Sequence, residues 1–177
     1  MRISRKRGYR ESEDIAEMNK KETYDFLNSH GICYEITEHK AVYNMAELAA
    51  IELPYPEADA KNLFVRDDKK RQYYLITVKG NKRVDLKSFR RANGTRPLSF
   101  ASEEELFSIL KLTPGAVTPL GLLNDQDHRV LFYLDRDFEG QMIGCHPNDN
   151  TATVWLKADD LVALIKEHGN TVSFVDL

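Results

Sequence analysis

Five stretches of the chain predict a helix, and three of them begin at a polar capping residue. The pattern is fullest where Ser102 and Glu105 form a capping box ahead of Leu106, Ile109 and Leu110, which recur at helical spacing. A glycine or proline ends each of the other four stretches, as helix termini require. These stretches run from Asn19 with Glu22 to Gly31, from Asn44 with Glu47 through Ile51 to Pro54 and Pro56, over 84–91 to Gly94, and through Leu161, Leu164 and Ile165 to Gly169.

Runs of β-branched and aromatic residues predict the strands. The runs 63–65 and 73–78 flank a charged turn, which is the pattern of a β-hairpin. Four more runs, at 32–36, 130–134, 151–156 and 172–175, predict four further strands. Because helices and strands alternate irregularly and include a hairpin, the pattern predicts a single α/β or α+β domain on a mixed sheet.

Charge is distributed unevenly along the 177 residues, although the net charge is only −3. Between residues 69 and 96 there are ten Lys or Arg residues and one acid, and residues 1–10 contain five basic residues and no acid. Such a concentration is what binding to a phosphate backbone needs, and Lys82, Arg83, Arg90 and Arg91 are its candidate contacts. A solvated helix face together with a flexible basic arm would give the same charge pattern. The sequence predicts this arm over residues 1–13, ahead of a domain over residues 14–177.

Several classes of protein are not expected from this sequence. It contains no apolar run of membrane-spanning length and no secretory signal, so we expect no membrane association. Two cysteines without a CxxC pair indicate a reducing, cytoplasmic setting. Walker, GxGxxG and HExxH motifs are missing, and the five histidines are scattered. We therefore expect neither a metal site nor a cofactor.

Three local patterns could carry chemistry. Lys61 and Asn62 open an apolar strand, where an ammonium can be directed into a cleft, although a surface lysine is an equally ordinary interpretation. Residues 112–121 hold an apolar loop in one shape with two prolines and two glycines, so its backbone N–H groups could stabilise an oxyanion. A turn over 144–151 includes His146 and several polar side chains. Cys145 beside His146 is not expected to be a catalytic pair, because neighbours in a strand point to opposite faces.

Taken in order, these patterns resemble the YbaK/ProX superfamily of aminoacyl-tRNA deacylases, and most closely its free-standing alanyl-tRNA(Pro) deacylase (PrdX-like) branch. The resemblance extends from about residue 19 to the end of the chain. The basic arm over residues 1–10 is not part of it. The motifs that carry the resemblance are Lys61 to Phe64, Pro114 to Pro119 with Asn124 and Asp125, His146 and Pro147 with Asn150 and Thr151, and the early segment Glu38 to Tyr43.

The resemblance implies an α/β domain with a central mixed β-sheet flanked by helices, and hydrolysis of the ester on mischarged tRNA(Pro), most closely Ala-tRNA(Pro). Lys61, Gly115 and His146 would then be the catalytic residues. The substrate's vicinal 2′-OH would assist the attacking water, and no metal would be needed. Prolyl-tRNA synthetase is a further partner that it suggests, in a transient complex. The implied substrate-binding residues are Asn62, Ala116, Val117, Thr118, Pro119, Pro147, Asn150 and Thr151.

Two other functions remain open at the level of sequence. One is a deacylase for another mischarged tRNA, such as Cys-tRNA(Pro) or Ser-tRNA. The other is a tRNA-binding module without catalysis, which the basic stretch over residues 69–96 alone would support. The oligomeric state is not readable from the sequence.

Overall fold

The computed structural model describes residues 18–41, 46–47 and 52–177. Four α-helices of eight or more residues and eight strands lie within these residues. The helices are α1 (Lys20–Ser29), α2 (Leu86–Asn93), α3 (Glu103–Leu110) and α4 (Ala158–His168). The strands are β1 (Tyr34–Glu38), β2 (Ala60–Asp67), β3 (Tyr73–Lys79), β4 (Leu98–Phe100), β5 (Val130–Asp135), β6 (Met142–Cys145), β7 (Ala152–Lys157) and β8 (Val172–Val175).

The strands form two sheets. A five-stranded mixed sheet has the order β4-β2-β3-β5-β8, in which β2 is antiparallel to β3 and β4, while β3–β5 and β5–β8 are parallel pairs. A three-stranded antiparallel sheet has the order β1-β7-β6. The mixed α/β class expected from the sequence is confirmed, with the correction that the strands divide between two sheets instead of one.

One hydrophobic core unites both sheets. Leu75 and Phe132 of the larger sheet, Ile143 and Val154 of the smaller sheet, and Leu161 of α4 belong to the same buried cluster. On the other face of the larger sheet, Phe89 of α2 packs with Val65, Tyr74 and Ile76. A shared core of this kind makes the described residues one domain. No helix in the described part of the chain combines the length and the apolarity that a membrane span requires.

Local signals placed most helix ends correctly. The side chain of Asn19 accepts a hydrogen bond from the Glu22 amide at the start of α1, and both hydrogen bonds of the Ser102–Glu105 capping box are present at α3. Gly94 and Gly169 end α2 and α4 with positive φ. Of the helix predicted from Asn44 through Ile51, only residues 46 and 47 are described, and both are helical.

Three strands differ from the sequence expectation. β1 begins at Tyr34 and not at Ile32, because the Ile32 amide donates to the Leu27 carbonyl and so completes the end of α1. β4 and β6 were not predicted. β4 has three residues after Pro97, and β6 has four residues interrupted by Gly144, so neither shows the long alternation that indicates a strand.

Candidate active site

Hydrogen bonds bring together the three segments that the sequence singles out. The Asn62 amide on β2 donates to the Val117 carbonyl at 3.1 Å, and its oxygen accepts from the Thr77 hydroxyl at 2.6 Å. The Thr118 hydroxyl donates to the His146 carbonyl at 2.8 Å. Two contacts therefore fix the loop over residues 113–118 between β2 and the turn after β6.

The conformation of this loop follows from its glycine and prolines. Gly115 has φ 86°, a left-handed conformation that glycine adopts without strain, and the Ala116 amide closes a turn onto the Thr113 carbonyl at 3.1 Å. Pro119 then starts a 3-10 helix (Pro119–Asn124) for which Thr118 is the N-terminal cap. Pro114, Gly115 and Val117 line a groove of about 250 Å³ beside Asn62. The loop is thus held with its backbone against an open groove.

A second, smaller cavity of about 120 Å³ lies on the other side of Asn62. A cavity needs roughly 10–15 Å³ of such space to hold one water molecule, so this cavity has room for a small ligand group. Its walls combine two histidines, one carboxylate, one indole ring and one amide. The lining residues are His39, Leu53, Asp59, Ala60, Asn62, Gly144, Cys145, His146, Thr153 and Trp155.

His146 has a defined tautomer in this cavity. Its Nδ1 lies 3.0 Å from the Ala152 carbonyl oxygen, which can only accept, so Nδ1 carries the proton. Burial lowers the pKa of His146 because a desolvated imidazolium is unfavourable, and nearby His39 lowers it further. The ring is therefore neutral at neutral pH, with the lone pair of Nε2 available as a hydrogen-bond acceptor.

The remaining walls are fixed by polar contacts and close packing. His39 contacts the Thr153 hydroxyl through Nε2 at 3.0 Å, and the Trp155 indole donates to the Thr37 hydroxyl at 2.9 Å. A Cβ atom at Gly144 would lie 2.5 Å from the Trp155 ring, so only glycine fits at this position without movement of the indole. The cavity size is consequently set by rigid groups.

Sequence reasoning missed four of these cavity residues. His39 belongs to the early segment of the resemblance but has no role assigned there, and no motif marks Asp59, Thr153 or Trp155 as site residues. The last two share one face of β7, because they are two residues apart in a strand. That alternation was visible in the sequence, but the partner elements that make the face a cavity wall were not.

The side chains of Lys61 and Asn62 lie on opposite faces of β2. Adjacent residues of a strand face opposite sides, and the Lys61 ammonium donates to the Lys82 backbone carbonyl on the side of the sheet that faces α2. It is not among the lining residues of the small cavity. The structure therefore corrects the expectation that Lys61 and Asn62 act side by side, and the proposed contact of Lys61 with the substrate stays a prediction.

The turn residues after His146 shape the site from outside. Pro147 is buried, Asn150 is half-buried, and neither lines the small cavity. Thr151 accepts a hydrogen bond from the Lys20 ammonium at 3.0 Å and donates its own hydroxyl to Asp149. The expected direct contacts of these residues with a substrate thus remain predictions, while their contacts in the structure order the turn.

The four predicted RNA contacts differ from one another. Lys82 pairs with the carboxylates of Asp135 at 2.9 Å and Asp137 at 2.6 Å, so its charge is already neutralised within the protein. Arg83, Arg90 and Arg91 are exposed, and none forms an ion pair within the part of the chain that the structure describes. Of the four predicted contacts, only Lys82 is thus already paired within the described residues, and all four stay predictions.

The surroundings of Cys145 are those of a structural residue and not of a nucleophile. Cys145 is buried, and burial raises the pKa of its thiol to about 12, so the sulfur stays protonated at neutral pH. This agrees with the structural role expected for it. Within residues 18–41, 46–47 and 52–177, no three His, Cys, Asp or Glu side chains come together as metal ligands.

Comparison with known proteins gives a consistent result. A profile of the aminoacyl-tRNA editing domain family matches residues 39–164, more than half of the chain. Prolyl-tRNA editing protein ProX of Acetoanaerobium sticklandii is 42% identical over 152 residues, which are 85% of this chain and 93% of that protein. Prolyl-tRNA synthetase associated domain-containing protein 1 of Mus musculus is 34% identical over 149 residues, 81% of this chain and 88% of that protein.

A solved structure shows the same fold. A crystal structure with a provisional assignment as a trans-editing enzyme for prolyl tRNA synthetase has a TM-score of 0.64, with 23% identity, 89% of this chain and 96% of that chain covered. The family profile and the 42% identical relative together indicate a hydrolase of the aminoacyl-tRNA deacylase class. The chain belongs to the aminoacyl-tRNA editing domain family, as the sequence motifs predicted.

Proposed function

We propose that this protein acts in trans on mischarged tRNA(Pro) and hydrolyses the ester that links alanine to it. The main support is the small cavity of about 120 Å³, which would accept a methyl side chain, next to a groove lined by a fixed backbone loop. The 42% identical relative is a prolyl-tRNA editing protein, which supports tRNA(Pro) as the substrate.

The reaction requires a positioned water and stabilisation of a tetrahedral oxyanion. Ester hydrolysis at the end of a tRNA does not need a protein nucleophile, and the protonated, buried Cys145 would be a poor one. Gly115 and Val117 line the groove next to Asn62, and we assign their backbone N–H groups to the oxyanion, since the Ala116 amide already donates to the Thr113 carbonyl. The vicinal 2′-OH of the substrate would assist the water, in line with the resemblance to this family.

Size and rigidity account for selectivity against proline. A pyrrolidine ring is larger than a methyl group, and a rigid pocket rejects a larger group by steric clash more effectively than it rejects a smaller one. Gly144 packs against the Trp155 ring, so the wall cannot retreat on that side. Correctly charged Pro-tRNA(Pro) would therefore be spared.

Deacylation of Ala-, Cys-, Ser- and Pro-tRNA(Pro), each compared with spontaneous hydrolysis without protein, tests this function. We expect rapid loss of alanine and no loss of proline above the spontaneous rate. Equal rates for alanine and proline would refute the steric rule, and faster loss of cysteine or serine would support the alternative substrates. Gly144→Ala should push Trp155 into the cavity and slow alanine removal, whereas Cys33→Ala, at an exposed residue outside the cavity, should not.

A further inference from the structure

Asp59 is a carboxylate in the small cavity that forms no ion pair with any residue that the structure describes. It follows the 3-10 helix Pro56–Ala58, is half-buried, and lines the small cavity as well as a larger open cavity of about 620 Å³ next to it. It takes part in none of the ion pairs found in the described residues. A partly desolvated carboxylate without a cation is unfavourable, which makes a cationic ligand the natural complement.

The nearby lysines do not supply this cation. Lys79 and Lys82 line the open cavity beside Asp59. The Lys79 ammonium donates to the Glu57 carbonyl at 2.7 Å and lies 4.4 Å from the centre of the Phe138 ring. Lys82 is held by Asp135 and Asp137. Both lysines therefore have other partners, and neither forms an ion pair with the Asp59 carboxylate.

Gly80 holds the Asp59 carboxylate in place. A Cβ atom at position 80 would lie 2.4 Å from the Asp59 Oδ2 atom, so the carboxylate packs directly against the glycine backbone. The Gly80 amide also donates to the Asp59 carbonyl at 3.0 Å. Burial raises the pKa of Asp59, while the Ala60 amide and His146 lower it. The carboxylate thus occupies a fixed position close to His146.

We propose that Asp59 and the Nε2 atom of His146 bind the α-ammonium group of the aminoacyl ester. This inference rests on the proposed function, since it names the group of the substrate that this cavity recognises. An α-amino acid ester carries its ammonium and its side chain on the atom next to the carbonyl. Asn62 lines both the groove and the small cavity, so the two spaces adjoin, and we place the ester carbonyl in the groove and the ammonium in the cavity.

Two unpaired acceptors and a cation of this kind are chemically complementary. The ammonium has three N–H donors, and the carboxylate and a neutral imidazole nitrogen offer acceptors without competing donors. The protonated Nδ1 of His146 is already used by Ala152, which leaves Nε2 as an acceptor. An ester that lacks the positive charge would leave Asp59 unpaired in the complex, so it would bind poorly.

A pair of non-hydrolysable probes tests this recognition directly. The first is alanylamino-deoxyadenosine, in which an amide replaces the ester, and the second is the same molecule acetylated on its α-nitrogen, which removes the charge. Binding is measured by calorimetry for the wild type, for Asp59→Asn and for the control Glu57→Gln. Glu57 is exposed on the same 3-10 helix and lines only the open cavities outside the small cavity.

We expect the wild type and Glu57→Gln to prefer the charged probe by about tenfold or more, the size of a charge-assisted hydrogen bond. Asp59→Asn should lose that preference while it binds the acetylated probe as the wild type does. An unchanged preference in Asp59→Asn, equal weakening of both probes, or no binding of either probe by the wild type would each overturn the proposal.

The hydrolysis assay separates this inference from the proposed function. If the wild type prefers the charged probe through Asp59 but does not deacylate Ala-tRNA(Pro), then the ammonium subsite stands and the substrate assignment fails. If it deacylates Ala-tRNA(Pro) and N-acetyl-Ala-tRNA(Pro) equally well, then the function stands and the subsite fails. In the supported case, Asp59→Asn slows only the unacetylated substrate.

Discussion

His146 is held in one protonation state and one tautomer by its surroundings. The Ala152 carbonyl accepts a hydrogen bond from Nδ1 of His146 at 3.0 Å, and burial lowers the pKa of the ring. The backbone carbonyl of His146 accepts a hydrogen bond from the Thr118 hydroxyl at 2.8 Å. One residue therefore links the loop over 113–118, the turn after β6 and the start of β7. Its side chain presents an acceptor and not a charge to the cavity.

The lowered pKa of His146 makes folding sensitive to acid. The unfolded chain binds the proton near the ordinary value of 6.5, whereas the folded protein resists it, so stability falls as the pH drops through 6.5 and continues to fall down to the folded pKa. Urea unfolding of wild type and His146→Asn at about pH 8 and about pH 5 measures this linkage. We expect the variant to lose less stability on acidification than the wild type does. The exposed His30→Asn control should behave like the wild type, and equal losses in all three proteins would contradict the prediction.

Lys61 remains a predicted contact to the reacting end of the substrate. Loss of one such contact in Lys61→Ala should cost about 2–4 kcal/mol of transition-state stabilisation, with little change in melting temperature. Lys79→Ala is a matched control, because both ammonium groups donate to a backbone carbonyl. Single-turnover deacylation of Ala-tRNA(Pro) compares the two variants. Equal rates would mean that Lys61 only holds the Lys82 carbonyl.

At the scale of elements, α2 packs one side against the larger sheet and carries positive charge on the opposite side. Asp85 caps its first turn by accepting from the Lys87 and Ser88 amides, and Phe89 is its buried anchor against the larger sheet. Arg90 and Arg91 are exposed in the last turn, where positive charge also favours the helix dipole. Lys87 is three and four residues away from them, so the three side chains share the outward side. The helix thus presents positive charge away from the core.

Removing this charge should weaken tRNA binding without disturbing the cavity. The triple substitution of Arg83, Arg90 and Arg91 to Gln should lower affinity for tRNA(Pro), and each lost phosphate contact should reduce the slope of log K against log salt by about 0.7–0.9. Lys82 is left intact because its removal would strand the buried Asp135. Binding is measured at several salt concentrations. The double substitution of the exposed Lys157 and Lys166 to Gln is the control, and identical slopes for both variants would place the RNA elsewhere.

At the scale of the whole molecule, the two sheets and the loop meet at one place. The cavity takes residues from the end of β1, from β2, from β6 and from β7, and the neighbouring groove adds the loop over 113–118. Both sheets share a single buried cluster, so their relative position is fixed by the core. The proposed chemistry uses backbone donors of the loop and the hydroxyl of the substrate. A site between two sheets can bring such a loop and the substrate together.

We expect activity to survive removal of divalent metals from the protein. No cluster of three metal-ligand side chains forms among the residues that the structure describes, and the proposed ester hydrolysis uses backbone donors. The protein is dialysed against EDTA, the chelator is removed, and turnover is measured with folded tRNA in magnesium buffer. A loss of turnover that zinc restores would contradict the prediction, whereas undialysed protein gives the reference rate.

The sequence by itself determined the elements whose hydrogen bonds are local. The Ser102 capping box, the Asn19 cap, the glycine helix ends and the β2–β3 hairpin depend on residues close together in the chain, so their signals are readable without the fold. The family motifs likewise grouped Asn62, the loop Pro114 to Pro119 and His146. The contacts of Asn62 with Val117 and of Thr118 with His146 bring these segments together, while the roles of the residues stay predictions.

Only the tertiary structure decided which side chains share the cavity. His39 meets Thr153 across a separation of 114 residues, and Lys82 meets Asp135 across 53. Such contacts depend on strand register and on the packing of the two sheets, which no local pattern specifies. The same physics placed Lys61 and Asn62 on opposite faces of β2, and it placed Asp59, which no motif marked, in the wall of the cavity.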